Sequence, residues 1–192
     1  MDESAMRNAE QVFDEYLAAA ARTGDRRAMA ALFGRWNKRL IAHAWRLTRD
    51  AEAAREAAQD GWIEILRGIG SLQDARAFPA WAYRIVTRRC AQGIKAAQMR
   101  RALNAEASAA PHNGPPDPGT GVDSARLSAA VSDLPPDQRA AVALFYFEDM
   151  SVAQLAVALD VPAGTVKTRL MHARRKLRAA LEGADLCETS TR

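Results

Sequence analysis

The sequence predicts an all-α fold of two small helical domains joined by a flexible linker, the C-terminal one containing a helix-turn-helix. Three observations lead there. Apolar residues recur every three or four positions through most of the 192 residues, and no stretch alternates as a strand would. The segment "APHNGPPDPGTG", residues 110–121, is rich in proline, glycine and small polar residues, which deny it both a helical ladder and an apolar face. The length suits one ordinary domain or two small ones, and a hydrophobic fraction of 48% supports real cores.

Before the linker, "GDRRAMAALFGRWNKRLIAHAWRLT" sets Met29, Leu32, Phe33, Trp36, Leu40, Ile41, Ala44 and Leu47 at helical spacing, with Arg and Lys opposite. Asp50 is placed to cap the next helix, whose core positions are Ala54, Ala58, Gly61, Ile65 and Ile69. "GSLQDARA" breaks that pattern and reads as a short exposed loop. Phe78 and Pro79 open a third helix, with Phe78, Trp81, Ile85 and Ile94 toward the core and Arg84, Arg88, Arg89 and Lys95 on the other side. After the linker, "ARLSAAVSDL" and "PPDQRAAVALFYFEDM" are helical. Ser151 and Gln154 then form a capping box for a short helix through Leu155, Ala156 and Leu159. Asp160 tolerates a left-handed turn and Pro162 discourages continuation. From Thr165 on, Val166, Leu170, Ala173 and Leu177 make one apolar stripe.

The formal charge is +4, with basic runs near residues 84–101 and 167–178. Such clusters suit a polyanion, although the plain alternative for any charge run is a solvated face. Cys90 and Cys187 are too few and too far apart for a disulfide framework or a zinc site. The N-terminus lacks an apolar signal core, and no stretch approaches the ~20 apolar residues that span a bilayer. A reducing cytoplasm is the expectation. His43, His112 and His172 are scattered, and neither a phosphate-cradling glycine loop nor a metal-ligand cluster is present, so catalysis, a cofactor and a metal are not expected.

A short helix, a tight turn and a second helix with a basic outer face fit a helix-turn-helix. In that arrangement Lys167 and Thr168, near the start of the second helix, reach base edges or phosphates, and the amides near Gly164 and Thr165 can hold a phosphate. The pattern alone leaves open a merely packed hairpin.

The wording of the segment goes further. "LPPDQRAAVALFYFEDMSVAQLAVALDVPAGTVKTRLMHARRKLRAAL" resembles the promoter-reading domain 4 of extracytoplasmic-function (ECF) sigma factors of bacterial RNA polymerase. Upstream, "EAAQDGWIEILRGI" and "FPAWAYRIVTRRC" resemble domain 2 of the same family. The resemblance covers residues 25 to 182, and it assigns 10–102 to domain 2, 103–123 to the linker, 124–183 to domain 4 and 184–192 to a tail. It implies an initiation factor, not an enzyme, whose partners are core RNA polymerase, promoter DNA and a cognate anti-sigma factor, with no direct membrane insertion. Glu56, Gln59, Asp60 and Trp62 match the polymerase-docking motif. Leu72, Gln73 and Asp74 match a loop that captures a flipped base of the minus-ten element, and Arg84, Arg88 and Gln92 lie along the opened strand. Arg88 stands where many relatives carry Asn. Trp81 and Tyr83 are candidates to stack on bases, with Trp81 sharing the core stripe. Gly164, Thr165, Lys167, Thr168, Met171 and His172 match positions that contact the minus-thirty-five element, His172 replacing the usual Arg. Competing readings are a stand-alone helix-turn-helix regulator, against which the docking motif argues, and a protein-binding adaptor.

Overall fold

The computed structural model describes residues 3–103 and 122–188, with side chains described for 9–103 and 126–182. Eight α-helices and no strand occur among the described residues. Four form an N-terminal unit: α1 (Glu3–Arg22), α2 (Arg26–Thr48), α3 (Ala51–Gly68) and α4 (Phe78–Leu103). The C-terminal unit holds α5 (Val122–Ser132), α6 (Pro136–Val142), α7 (Val152–Leu159) and α8 (Ala163–Glu188). The segment read as a linker lies mostly outside the described residues, as does His112. Helix α8 continues to Glu188, into the stretch read as a tail.

Local chemistry explains where the helices start and stop. The Asp25 carboxylate accepts from the amides of Arg27 and Ala28 at 2.8 and 3.1 Å, opening α2. Asp50 opens α3 in the same way, accepting from Glu52 and Ala53 at 2.9 and 3.0 Å. Between them Arg49 turns left-handed, at φ 56°. The stretch read as one loop is built from two 3₁₀ turns, Ile69–Ser71 and Ala75–Ala77. In the C-terminal unit, Pro136 sits in the first turn of α6, where its missing N–H costs nothing. A wide π turn, Ala143–Phe147, then ends the run.

The N-terminal core is aromatic. Trp36 meets Phe78 edge-on at 5.3 Å between ring centres and Tyr83 at 5.7 Å, among buried Leu32, Leu40 and Ile65. Helices α3 and α4 approach closely at Gly61, where an added Cβ would lie 2.8 Å from Val86 Cγ2. Two expectations change. Phe33 is exposed, because Leu32, Trp36 and Leu40 carry the buried stripe and Phe33 lies about 100° round the helix from Leu32. Helix α1 was not expected at all; it packs through Leu17, Ala18 and Ala21 and is tied to α2 by Asp14 and Arg35 at 2.6 Å.

The apolar cores of the two units are continuous. One cluster runs from Leu17 through Phe78 and Tyr83 to Leu144, Leu155 and Leu170, with α7 packed on α4. A smaller one, Val131, Leu134, Val142 and Ala173, holds α5 and α6 to α8. No helix among the described residues is long and apolar enough to cross a membrane.

Candidate polymerase and nucleic-acid interface

The α7–α8 pair has the geometry that a duplex reader needs. Ser151 Oγ accepts from the Gln154 amide at 3.3 Å and Gln154 Oε1 from the Ser151 amide at 2.9 Å, so the expected capping box is closed. Asp160 ends α7 in the left-handed region, at φ 54° and ψ 46°. That turn aims α8 so that Val166, Leu170 and Ala173 are buried while Gly164, Lys167, Thr168 and Met171 are exposed. Thr165 and His172 are half-buried beside them. The Thr168 hydroxyl donates to the Gly164 carbonyl at 3.0 Å, leaving its lone pairs to an outside donor. Two ties brace α8 from behind: Arg169 to Asp137 at 3.3 Å, and Arg174 Nε donating to the Tyr146 hydroxyl at 2.8 Å.

On α3, Glu56, Gln59 and Asp60 form one exposed stripe. Trp62 does not join it. Its side chain is 4% exposed, its Nε1 donates to Asn37 Oδ1 at 3.1 Å, and its ring meets Phe33 at 4.9 Å. The stripe continues through Ile63 to Leu66, both exposed, and the sequence reading passed over them. A signal was available, since both fall off the Ala54–Ala58–Gly61–Ile65 core stripe.

The loop before α4 divides its three candidates. Leu72 is 8% exposed and packs into the core, whereas Gln73 and Asp74 are exposed. Asp74 caps the following turn, accepting from the Arg76 amide at 2.9 Å and from its guanidinium at 3.2 Å. Those hydrogen bonds hold its carboxyl below the usual range. Along α4, Arg84 and Gln92 are exposed, but Arg84 pairs with Asp160 at 2.7 Å. Arg88 and Arg89 converge on Glu64, Arg89 at 3.0 Å. Burial works to raise the Glu64 carboxyl, yet the hydrogen bonds and charge of Arg88, then Arg89, hold it below the ordinary value. Tyr83 is buried and its hydroxyl donates to Glu148, so its ring is not presented for stacking; Trp81 is half-buried against Gly68.

Two other reactive side chains serve the core. His43 is fully buried with Nε2 2.8 Å from Thr87 Oγ1, and burial, helped by the Arg46 charge, lowers its pKa to about 3. Burial pushes the Cys90 thiol up to about 12. No group of three or more His, Cys, Asp or Glu suited to a metal occurs among the described residues.

Known proteins share these regions in the same order. Residues 32–100 match the family "Sigma-70 region 2" and residues 124–177 the family "Sigma-70, region 4". The ECF RNA polymerase sigma factor SigM of Mycobacterium tuberculosis is 33% identical over 85% of this chain and 82% of its own length. The RNA polymerase sigma-H factor of Pseudomonas aeruginosa is 28% identical over 88% and 94%. Two solved structures share the fold. The sigma factor RpoE, in complex with the anti-sigma factor NepR from Bartonella quintana, has a TM-score of 0.69 at 20% identity, covering 78% of this chain and 94% of that one. CnrH, in complex with the cytosolic domain of CnrY, scores 0.67 at 23% identity, covering 89% and 98%. With both sigma regions present in order, and a relative one-third identical along most of both chains, the protein belongs to the extracytoplasmic-function sigma factors, which bind core RNA polymerase, recognise promoter DNA and promote transcription initiation.

Proposed function

We propose that residues 10–102 act as sigma domain 2 and residues 124–183 as sigma domain 4, each with a separate part of promoter recognition. Domain 4 reads the minus-thirty-five element as duplex through Gly164, Thr165, Lys167, Thr168, Met171 and His172. The observation that carries this reading is the exposure of Lys167, Thr168 and Met171 over a buried Val166–Leu170–Ala173 spine. Domain 2 docks on core polymerase through Glu56, Gln59 and Asp60, with buried Trp62 holding α3 in place. It handles the opened minus-ten strand with Leu72, Gln73, Asp74, Arg84, Arg88 and Gln92. Of these Leu72 supplies a pocket wall, and the exposed polar side chains supply hydrogen bonds and charge.

The protein carries out no catalysis of its own and works in the cytoplasm, lending sequence preference to the polymerase. A cognate anti-sigma factor restrains it, a reading supported by the anti-sigma factor NepR named with one solved structure of the same fold. The test is a pull-down of core polymerase with the full chain and with a Glu56→Ala/Gln59→Ala/Asp60→Ala variant. The variant is expected to lose at least tenfold in affinity while its helical circular dichroism is unchanged. Equal binding by the two chains would remove the α3 stripe from the docking surface.

A further inference from the structure

Helix α1 holds none of the candidate site residues, yet it backs the loop between α3 and α4. That loop is two short turns joined at Gln73. The Leu72 amide donates to the Ile69 carbonyl at 3.1 Å and the Ala77 amide to the Asp74 carbonyl at 3.0 Å, closing one turn on either side of it. The first turn also touches α3 and the second α4, but α1 packs against both. Leu17, Ala18 and Ala21 of α1 are buried in the same apolar cluster as Ile69 and Leu72. A Cβ added at Gly70 would lie 3.9 Å from the Arg22 carbonyl oxygen.

Charge follows the same contact. Beyond its hydrogen bonds to Arg76, the exposed Asp74 carboxylate feels the positive charge of Arg22. Arg76, beyond its pairing with Asp74 at 3.2 Å, feels the negative charge of Glu15. Glu15 and Arg22 stand on one face of α1, about two turns apart, with buried Ala18 between them. Signs therefore alternate across the boundary, two on the helix against two on the loop. The helix itself is anchored, since buried Asp14 accepts from Arg35 of α2 at 2.6 Å and that guanidinium lies over Phe13 at 5.1 Å. The tip of the loop is thus braced by an element other than the two helices it connects.

We propose that α1 is part of the minus-ten reader, with Glu15 and Arg22 as positioning residues that set the angle of Gln73 and Asp74 toward a captured base. The proposal rests on the reading of that loop as the base-capturing element. A pocket for one flipped base discriminates only if its polar edge is held to about 0.5 Å. Two turns that meet at one exposed residue do not hold that tolerance alone, and α1 supplies their common backing. Glu15 and Arg22 therefore act on preference at one base, whereas the cations of α4 act on the strand as a whole.

Core polymerase loaded with the full chain can select from a short, fully randomised single-stranded DNA pool, with the bound strands sequenced. The parent should enrich one base at one position, and Asp74→Ala should lose that preference. Arg22→Gln and Glu15→Gln should each cut the enrichment there about two- to fivefold, the range of one exposed charge pair, with other positions and core-polymerase binding unchanged. Arg22→Lys keeps the charge and should restore the parental enrichment, a rescue at one base that mere support of the fold would not produce. If either folded neutral variant keeps the parental preference at the Asp74-dependent position, or lowers every position equally, the proposal is overturned and the capture reading stands. Enrichment that ignores Asp74→Ala, or none with the parent chain, removes the capture reading and the role of α1 with it. Should Arg22→Gln lose its helical circular dichroism, Glu15→Gln decides alone.

Discussion

The cationic faces of α4 and α8 are presented in opposite ways. On α8, Lys167, Thr168 and Met171 stand outward, while Arg169 and Arg174 brace the helix from behind. On α4, Arg84 is held by Asp160, and Arg88 and Arg89 by Glu64. A count of basic residues treats the two alike, but Arg84, Arg88 and Arg89 on α4 must first give up protein partners, whereas Lys167 on α8 stands exposed. That difference fits the two tasks proposed for these helices. Duplex is always available to be read, whereas an opened strand exists only after the polymerase has been engaged.

Breaking the scaffold beneath the α3–α4 face should have the largest effect. Trp62→Ala removes a buried ring and its bond to Asn37, and a loss of about 3–5 kcal/mol in unfolding free energy is expected in urea titrations. Asp60→Ala, on the outward stripe of the same helix, should stay within about 0.5 kcal/mol of the parent.

Acid offers a second way in. His43 joins α2 to Thr87 of α4 and has a folded pKa of about 3 against an ordinary 6.5. The unfolded chain therefore takes up the proton first. Stability is full above pH 6.5 and falls as the pH drops toward 3, by about 2 kcal/mol at pH 5. Urea titrations at pH 7 and pH 5 measure this, and His43→Leu should flatten the difference.

On the open face, Lys167→Ala should weaken promoter duplex binding by about 1–3 kcal/mol in a fluorescence titration, with thermal stability unchanged. The smallest change sharpens the contrast most. Glu64→Gln releases Arg88 and Arg89 at a stability cost below about 1 kcal/mol. It should steepen the salt dependence of binding to a random single strand by up to about 1.4 in log–log slope, about 0.7 per freed cation. An unchanged slope would mean that neither arginine faces the strand.

Much of this was legible in the sequence because it rests on local rules. The caps at Asp50 and Ser151, the left-handed Asp160 and the Val166–Leu170–Ala173 stripe depend on residues a few positions apart, and all are present. The misses depend on partners distant in sequence. Helix α1 turns its larger apolar side chains Val12, Phe13 and Tyr16 outward while Leu17, Ala18 and Ala21 are buried, and its Asp14 is placed by Arg35. Tyr83 looked free to stack, but Glu148, 65 residues away, takes its hydroxyl. Arg84 and Arg88 read as an open basic face because ion pairs to Asp160 and Glu64 leave no periodic trace. Phe33 was assigned to the core because a stripe drawn from spacing alone is one residue wider than the buried one.

The most direct test of the account is transcription from sheared genomic DNA with purified core polymerase and this protein, with the 5′ ends of the products mapped. Wild type is predicted to start transcripts at a small set of sites sharing one upstream pattern, and Lys167→Ala to lose those starts while still binding core polymerase. Starts scattered as with core enzyme alone, or an identical set from Lys167→Ala, would contradict the assignment of α8 as the promoter-reading helix.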